Sequence, residues 1–209
     1  MGHVSEMEGR GSLWALFADC VVGLNHLHSM GVIHRDIKTS NIFVRDGVAK
    51  LGDLGLATQG GGEDGATGGE DSTESSKSTD VGTFLYSAPE VATGKYTSGC
   101  DVYSLGVVLV EIFAPFATGM ERVSVLQDLR KGFVKSDLLP IEARNLALRM
   151  TNDDERLRPT CEEILSELVV YKLWERPSYE QLSSVVINLS NKVSRLRAIL
   201  EENNIEYRC

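Results

Sequence analysis

Residues on one side of a predicted helix recur at three- and four-residue spacing near the start of the chain. They are Leu13, Leu16, Phe17, Cys20, Val21, Leu24, Leu27 and His28. Because this spacing matches the helical period, the sequence predicts a helix from about Leu13 to Met30. Gly31 follows, and glycine is the residue that is preferred just past the C-terminal end of a helix. Residues 1–12 are polar and are predicted to form a start segment that precedes the domain.

Two short apolar runs, Ile42–Val44 and Val48–Leu51, are typical of β-strands. Arg45–Gly47 lies between them, and its Asp-Gly pair is a strong hairpin signal. The sequence therefore predicts a small β-ribbon, with Asn41 and Asp53 at opposite ends of it.

Further along the chain, the most apolar run extends from Leu105 to Ala117 and contains Glu111 and Pro115. It is too short to span a bilayer, so it is predicted to be a buried core helix. A further helical pair is predicted over about Ile141–Met150 and Cys161–Tyr171. The predicted fold class is therefore mainly α, with one small β-ribbon.

Beyond Pro177, apolar residues recur at seven- and four-residue steps. They are Leu182, Val186, Leu189, Val193, Leu196 and Leu200. This pattern predicts a coiled-coil-like amphipathic helix over residues 179–206. Such a helix can pair with a second copy to give a homodimer, or it can pack back onto the domain, and the pattern is compatible with both.

Composition narrows the class of protein. A hydrophobic fraction of 42% and an aromatic fraction of 7% are typical of a packed globular protein. The net charge of −9 argues against nucleic acid as a partner. The chain start has no apolar segment of the signal-peptide type, and no membrane association is expected. The four cysteines are scattered without the spacing of a metal site: Cys20, Cys100, Cys161 and Cys209. This scatter favours a reducing, cytoplasmic location.

The densest group of chemically active residues lies between Val32 and Asn41 and is followed by Asp53-Leu54-Gly55. His-Arg-Asp, four residues, Asn and then Asp-x-Gly resembles the catalytic and metal-binding loops of protein kinases. Several residue types coincide in order, so the motif is more specific than a single short pattern. The resemblance implies that ATP and Mg²⁺ are the cofactors.

Phosphoryl transfer needs positioning and charge neutralisation more than covalent chemistry. The resemblance implies that Asp36 accepts or orients the proton of the substrate hydroxyl, and that Lys38 neutralises charge on the transferring phosphate. It assigns Asn41 and Asp53 as oxygen ligands of Mg²⁺. Taken alone, each residue would be an ordinary loop residue; the ordered set favours catalysis.

The same resemblance implies the C-terminal lobe of the kinase fold for residues 13–175. Residues 59–80, rich in glycine, serine, threonine and acidic residues, become an enlarged and disordered activation segment. Most of that insertion is expected to be merely solvated. Three candidate phosphorylation sites lie at its end and just after it: Ser78, Thr79 and Thr83. Phosphates on these residues could pair with basic groups such as Arg35.

Structural roles are implied for further residues of the motifs, beginning with His34 and Arg35 in the catalytic loop. Glu90 is expected to form an ion pair with Arg158 inside the lobe. Asp101 stands at the start of the core helix, where it can cap that helix and also hold the catalytic-loop backbone. Capping alone is the simpler role, and the two are compatible.

The segment from Pro115 to Arg122 narrows the resemblance to the kinases of the alpha subunit of eukaryotic translation initiation factor 2. In that family, the corresponding helix docks the substrate, which implies docking contacts for Thr118, Met120 and Glu121. Met120 could equally be a simple exposed or interface hydrophobe. The run from Tyr103 to Leu109, together with the tail, is most similar to the haem-regulated member of this family.

One departure from the family pattern concerns the small lobe. No G-x-G-x-x-G precedes His34, and the residues before it are taken up by the polar start and one helix. The N-terminal lobe is therefore expected to be missing, and this chain alone is expected to have little or no activity. Two functions stay open: a kinase seen without its small lobe, or a non-catalytic module that binds initiation factor 2 or pairs with a full kinase.

Overall fold

A computed structural model describes residues 2–59, 84–171 and 173 of the chain, all of them within the compact unit Met1–Trp174. The predicted insertion beyond Gln59, the candidate phosphorylation sites and the predicted helix over residues 179–206 lie outside the described residues. Five α-helices are described: α1 (Gly2–Ser29), α2 (Ser98–Phe113), α3 (Gly119–Arg130), α4 (Ile141–Met150) and α5 (Cys161–Val170).

The strands are short and form two antiparallel pairs. One pair joins β1 (Val32–Ile33) to β4 (Thr58–Gln59), and the other joins β2 (Ile42–Arg45) to β3 (Val48–Leu51). Single 3₁₀ turns cover Thr39–Asn41, Pro89–Thr93 and Glu155–Leu157. This mainly helical arrangement agrees with the predicted fold class.

The helix α1 begins earlier than the sequence pattern predicts. Its predicted face is buried, with Phe17, Cys20, Val21 and Leu24 all fully inaccessible to solvent. The helix extends back through the polar start to Gly2, as is possible because each residue added to an existing helix gains one hydrogen bond. At the other end the prediction is confirmed to within one residue, and Gly31 has the left-handed φ of 72°.

The helix α2 is the centre of the fold. It is buried on nearly all sides, as the apolar run predicts, although it starts at Ser98 and ends at Phe113, just before Ala114 and Pro115. It packs closely on α4 at Gly106, where an added Cβ would lie 2.8 Å from the Cβ of Met150. Only glycine permits this approach of the two helices.

The hairpin of β2 and β3 forms as predicted, with Asp46 and Gly47 in the turn at φ values of 54° and 77°. The prediction that Asn41 and Asp53 lie at opposite ends of this ribbon is wrong. Because the strands are antiparallel, the residues just before β2 and just after β3 meet at one end of the ribbon. The N–H of Gly52 donates to the carbonyl of Asn41 at 2.9 Å, so Asn41 and Asp53 lie at the same end.

Gln59 is a second correction. The sequence assigns it to the start of the disordered insertion, but it pairs with Val32 in the β1–β4 ladder. The backbone partner that fixes it lies far away in sequence, so local composition does not indicate it. Within the described part of the chain, no helix combines the length and the apolar character that crossing a bilayer requires.

Candidate active site

Asp36 is the centre of the site. Its carboxylate oxygen Oδ2 lies 2.8 Å from the ammonium nitrogen of Lys38. The side-chain amide of Asn41 donates to the same oxygen at 2.8 Å and to the Asp36 carbonyl at 2.9 Å. The 3₁₀ turn Thr39–Asn41 brings the amide back onto Asp36. The structure thus brings together the three loop residues that the sequence selects.

His34 joins this loop to the segment that carries Asp53. Its ring is fully buried, and its Nε2 lies 3.1 Å from the carbonyl oxygen of Gly52. The backbone N–H of Asp36 donates to Nδ1 at 3.4 Å. Since a carbonyl only accepts and a backbone N–H only donates, these contacts assign the neutral tautomer with the proton on Nε2. His34 is therefore a bridge between the two loops.

The carboxylate of Asp101 holds the backbone of the loop. It accepts from the N–H groups of His34 and Arg35, both at 2.8 Å, and its Oδ2 lies 2.9 Å from Nε2 of His28. The helix cap is a correction to the sequence prediction. Thr97 stands at the N-cap of α2, so Asp101 lies inside the helix and its carboxylate is directed to the loop.

Two residues of the site, Arg35 and Asp53, have left-handed backbones with φ values of 69° and 58°. Such a conformation costs on the order of 1–3 kcal/mol for a residue other than glycine and persists where surrounding contacts enforce it. The Arg35 guanidinium lies 3.8 Å from the centre of the Tyr96 ring, a cation–π contact. Tyr96 is thus the described partner of the side chain that the sequence assigns to phosphate binding.

Asn41 and Asp53 carry side-chain oxygens of the kind that bind Mg²⁺. Hard divalent cations take carboxylate and amide oxygens as ligands. The amide nitrogen of Asn41 is committed to Asp36, which assigns its oxygen Oδ1 as the donor atom for a cation. Asp53 is exposed, and its Oδ1 accepts from the N–H of Gly55 at 3.3 Å. Bound Mg²⁺ would supply neutralisation of phosphate charge beside Asp36.

Away from the loop, Glu90 and Arg158 form the ion pair that the sequence predicts. The guanidinium donates to both carboxylate oxygens, at 2.5 Å and 2.9 Å. It also donates to the carbonyls of Gly99 and Asn152, at 3.0 Å and 2.7 Å. The pair therefore fixes the segment before α2 to the turn before α5.

The three predicted docking residues lie at the start of α3. Thr118 is the N-cap and accepts from the N–H of Glu121 at 3.1 Å, while the Glu121 carboxylate accepts from the N–H of Ala117 at 2.7 Å. Met120 is 86% exposed, the largest exposed fraction among the large hydrophobic side chains that the structure describes. Thr118 and Glu121 shape the helix start, and Met120 presents an apolar contact to solvent.

One group of residues near the site escapes the sequence analysis. The hydroxyl of Tyr86 donates to Glu111 at 2.6 Å and accepts from Arg122 at 2.9 Å. Burial, followed by the hydrogen bond to Glu111, raises the pKa of Tyr86, so the phenol stays protonated as a donor. No local sequence signal indicates that Glu111 and Arg122 are the partners of Tyr86.

The geometry suits proton abstraction and charge neutralisation. Asp36 is a carboxylate that is only partly buried, with a cation at hydrogen-bonding distance and a candidate divalent-cation site beside it. A hydroxyl placed next to Asp36 could lose its proton while an anionic group binds Lys38 and the cation. That combination is the requirement of phosphoryl transfer.

Comparisons with known proteins agree with this geometry. The family described as Protein kinase domain matches residues 6–184. Eukaryotic translation initiation factor 2-alpha kinase 1 of Mus musculus is 38% identical over 164 residues, which is 73% of this chain and 26% of the mouse protein. Eukaryotic translation initiation factor 2-alpha kinase pek-1 of Caenorhabditis elegans is 38% identical over 68% of this chain and 14% of its own length.

A third relative, eukaryotic translation initiation factor 2-alpha kinase gcn-2 of Caenorhabditis elegans, is 34% identical over 88% of this chain. The match covers 13% of the gcn-2 protein. The chain therefore spans only about a quarter or less of the length of these three relatives.

Proposed function

The chain belongs to the protein kinase domain family, and from that premise we propose that it forms the large lobe of a Mg²⁺- and ATP-dependent serine/threonine kinase. The observation that carries the proposal is the contact of Asp36 with both Lys38 and Asn41, at the end of the ribbon where Asp53 also lies. Asp36 is the base, Lys38 contacts the phosphate, and Asn41 and Asp53 bind Mg²⁺.

The proposed substrate is the alpha subunit of translation initiation factor 2. The relatives named as kinases of that subunit support it, as does the exposure of Met120 at the start of α3. Met120 is the central docking contact, and Thr118 and Glu121 flank it. We assign the chain to the haem-regulated branch of the family, because of the run Tyr103–Leu109 and the tail.

Further parts of the proposal concern the surroundings of the lobe. Phosphates on Ser78, Thr79 or Thr83 would pair with Arg35, and residues 179–206 would join two copies in a homodimer. The protein acts in the cytoplasm, in control of translation under stress. Neither a nucleic acid nor a membrane is a partner.

A second function is a non-catalytic binding module for initiation factor 2 or for a complete kinase. One observation favours it. Met120 is exposed at the start of α3, away from the catalytic loop, so a partner could bind there without any phosphoryl transfer.

The test begins with binding. The purified alpha subunit, labelled with a fluorophore, is titrated with the 209-residue chain. Met120→Ala should raise the dissociation constant about thirtyfold, the size expected for a central interface residue. Met30→Ala is the matched control, because Met30 is 51% exposed at the end of α1. Failure of the unaltered chain to bind would exclude this substrate.

Catalysis is measured separately, as incorporation of labelled phosphate into the alpha subunit in the presence of Mg²⁺ and ATP. Phosphorylation that Asp36→Ala abolishes, with binding retained, would establish the enzyme. Binding without phosphorylation is what both functions predict for the 209-residue chain, so phosphorylation that is lost in Asp36→Ala is the outcome that would exclude the non-catalytic module. Retention of activity in Asp36→Ala would contradict the assignment of the base.

A further inference from the structure

The helix α3 is fastened to the segment before α2 by two arginines. Arg122 and Arg130 are eight positions apart and lie on the same side of the helix as Leu126, which is fully buried between them. Met120 is two positions before Arg122 and therefore lies on the opposite side, where it is exposed. One side of α3 thus faces the domain, and the other faces solvent.

Arg122 reaches the catalytic loop through one intermediate. It forms an ion pair with Glu111 on α2 and donates to the Tyr86 hydroxyl at 2.9 Å. That hydroxyl lies 2.9 Å from the Thr39 hydroxyl. The phenol gives its single proton to Glu111 at 2.6 Å, so Thr39 is the donor to Tyr86.

Thr39 belongs to the active site by position. It follows Lys38 directly and opens the 3₁₀ turn that ends at Asn41. The N–H of Asn41 donates to the Lys38 carbonyl at 3.0 Å and closes this turn. Any shift of the Tyr86 hydroxyl therefore acts on the turn that orients the amide of Asn41 on Asp36.

Arg130 holds the same segment from the other end of α3. Its guanidinium donates to the carbonyl of Ser87 at 2.5 Å and lies 4.7 Å from the centre of the Phe84 ring. Residues 84–88 are therefore clamped between two arginines of one helix. The hydroxyl of Ser104 on α2 fixes the middle of the segment by donating to the Tyr86 carbonyl at 2.8 Å.

We propose that Arg122 and Tyr86 are positioning residues that couple occupation of the α3 docking surface to the geometry of the catalytic turn Thr39–Asn41. The identity of the docked partner rests on the proposed function. The path itself rests on contacts within this chain: Arg122 to Tyr86, and Tyr86 to Thr39. Docking that fixes α3 fixes the Arg122 guanidinium, and with it the Tyr86 hydroxyl and the turn.

The first test needs no partner. Hydrogen–deuterium exchange is measured by NMR on the 209-residue chain, with the Asn41 amide as the probe of the turn. Tyr86→Phe removes only the hydroxyl and should speed exchange of that amide about fivefold, the factor expected for one net hydrogen bond. Arg122→Met should produce a similar increase, and the double variant should add little to either.

Two controls separate a positioning role from general loosening. Tyr171→Phe removes an exposed hydroxyl at the end of α5 and should leave the Asn41 amide unchanged. Amides in the middle of α4 should exchange at the unaltered rate in every variant. Unchanged exchange at Asn41 in Tyr86→Phe, or an equal increase throughout the chain, would overturn the proposal.

The second test adds the purified alpha subunit of initiation factor 2. In the unaltered chain, binding should slow exchange both on α3 and at Asn41. In Tyr86→Phe, the dissociation constant should be unchanged and α3 still protected, while the protection at Asn41 is lost. Persistence of that protection in Tyr86→Phe would refute the coupling. Absence of binding to the unaltered chain would refute the proposed substrate, and the first test would then decide the internal coupling by itself.

Discussion

The ion pair of Glu90 and Arg158 offers a quantitative test of how the lobe is held together. Only 1% of the Arg158 side chain and 14% of the Glu90 side chain is exposed to solvent. The guanidinium also lies 5.0 Å from the centre of the Tyr103 ring. Arg158→Met keeps much of the aliphatic volume and removes the charge, so it leaves a nearly buried carboxylate without its partner.

The magnitude follows from that burial. Removal of one partner from a buried ion pair destabilises a protein by about 3–5 kcal/mol, because the other charge stays desolvated. Arg158→Met should therefore lower the free energy of unfolding by that amount. Glu90→Gln should cost less, about 2–3 kcal/mol, since glutamine keeps one oxygen for the guanidinium. The double variant should resemble Arg158→Met, so the coupling energy should be about 2–3 kcal/mol, the cost of Glu90→Gln alone.

Urea unfolding of the 209-residue chain, followed by tryptophan fluorescence to which the buried Trp14 contributes, measures these differences. Arg156→Met is the matched control, because Arg156 lies in the same turn but pairs with Asp154 in solvent. It should leave the unfolding midpoint unchanged. A coupling energy below about 0.5 kcal/mol would show that the two residues act independently, contrary to a buried pair.

The same pair predicts a pH dependence. Burial raises the pKa of Glu90, but the hydrogen bonds from Arg158, from the backbone and from the Cys100 thiol outweigh it and hold the pKa below the ordinary 4.5. A lowered pKa in the folded state means that the stabilisation is complete above pH 4.5 and is lost as the pH falls through the folded value. The stability difference between the unaltered chain and Glu90→Gln should shrink below pH 4.5. A constant difference would contradict the assignment.

Two further predictions concern the core. Gly106→Ala places a Cβ 2.8 Å from the Cβ of Met150 and should lower the free energy of unfolding by about 1–3 kcal/mol. Gly119→Ala is the control and should not destabilise the chain, because no atom lies near its added Cβ. Equal urea midpoints for the two variants would refute the close packing of α2 on α4. Burial raises the pKa of both Cys20 and Cys161 to about 12. Iodoacetamide at pH 8.5 should therefore alkylate them only after unfolding, as mass spectrometry can show, and rapid reaction in the folded chain would contradict their burial.

Local signals in the sequence predict a helix or a strand pair well where residues close together in the chain determine it. The Asp46-Gly47 turn determines the hairpin because both residues adopt positive φ. The apolar run Leu105–Ala117 likewise indicates a buried core helix, and α2 is that helix, although it spans Ser98–Phe113. Each of these features depends on residues that are close together in the chain.

The pattern fails where a distant partner decides the outcome. Asn41 and Asp53 lie at the same end of the ribbon because the strands between them are antiparallel, and local signals in the sequence do not indicate this consequence of pairing. Thr97 caps α2 in place of Asp101, because the carboxylate of Asp101 is used by the loop instead. Arg122 is part of the docking motif in sequence, yet its side chain faces Glu111 and Tyr86, which only the packing of α3 on α2 determines.

The position of the candidate base therefore depends on the core as much as on the loop that contains it. Arg35 has an unfavourable left-handed backbone, and the Asp101 carboxylate accepts from the N–H groups of Arg35 and the preceding His34. Since Asp101 is 1% exposed and lies within α2, the loop can relax only if that helix moves. The helix in turn is held against α4 through Gly106. Apolar packing of α2 thus supplies the constraint that keeps Asp36 beside Lys38 and Asn41.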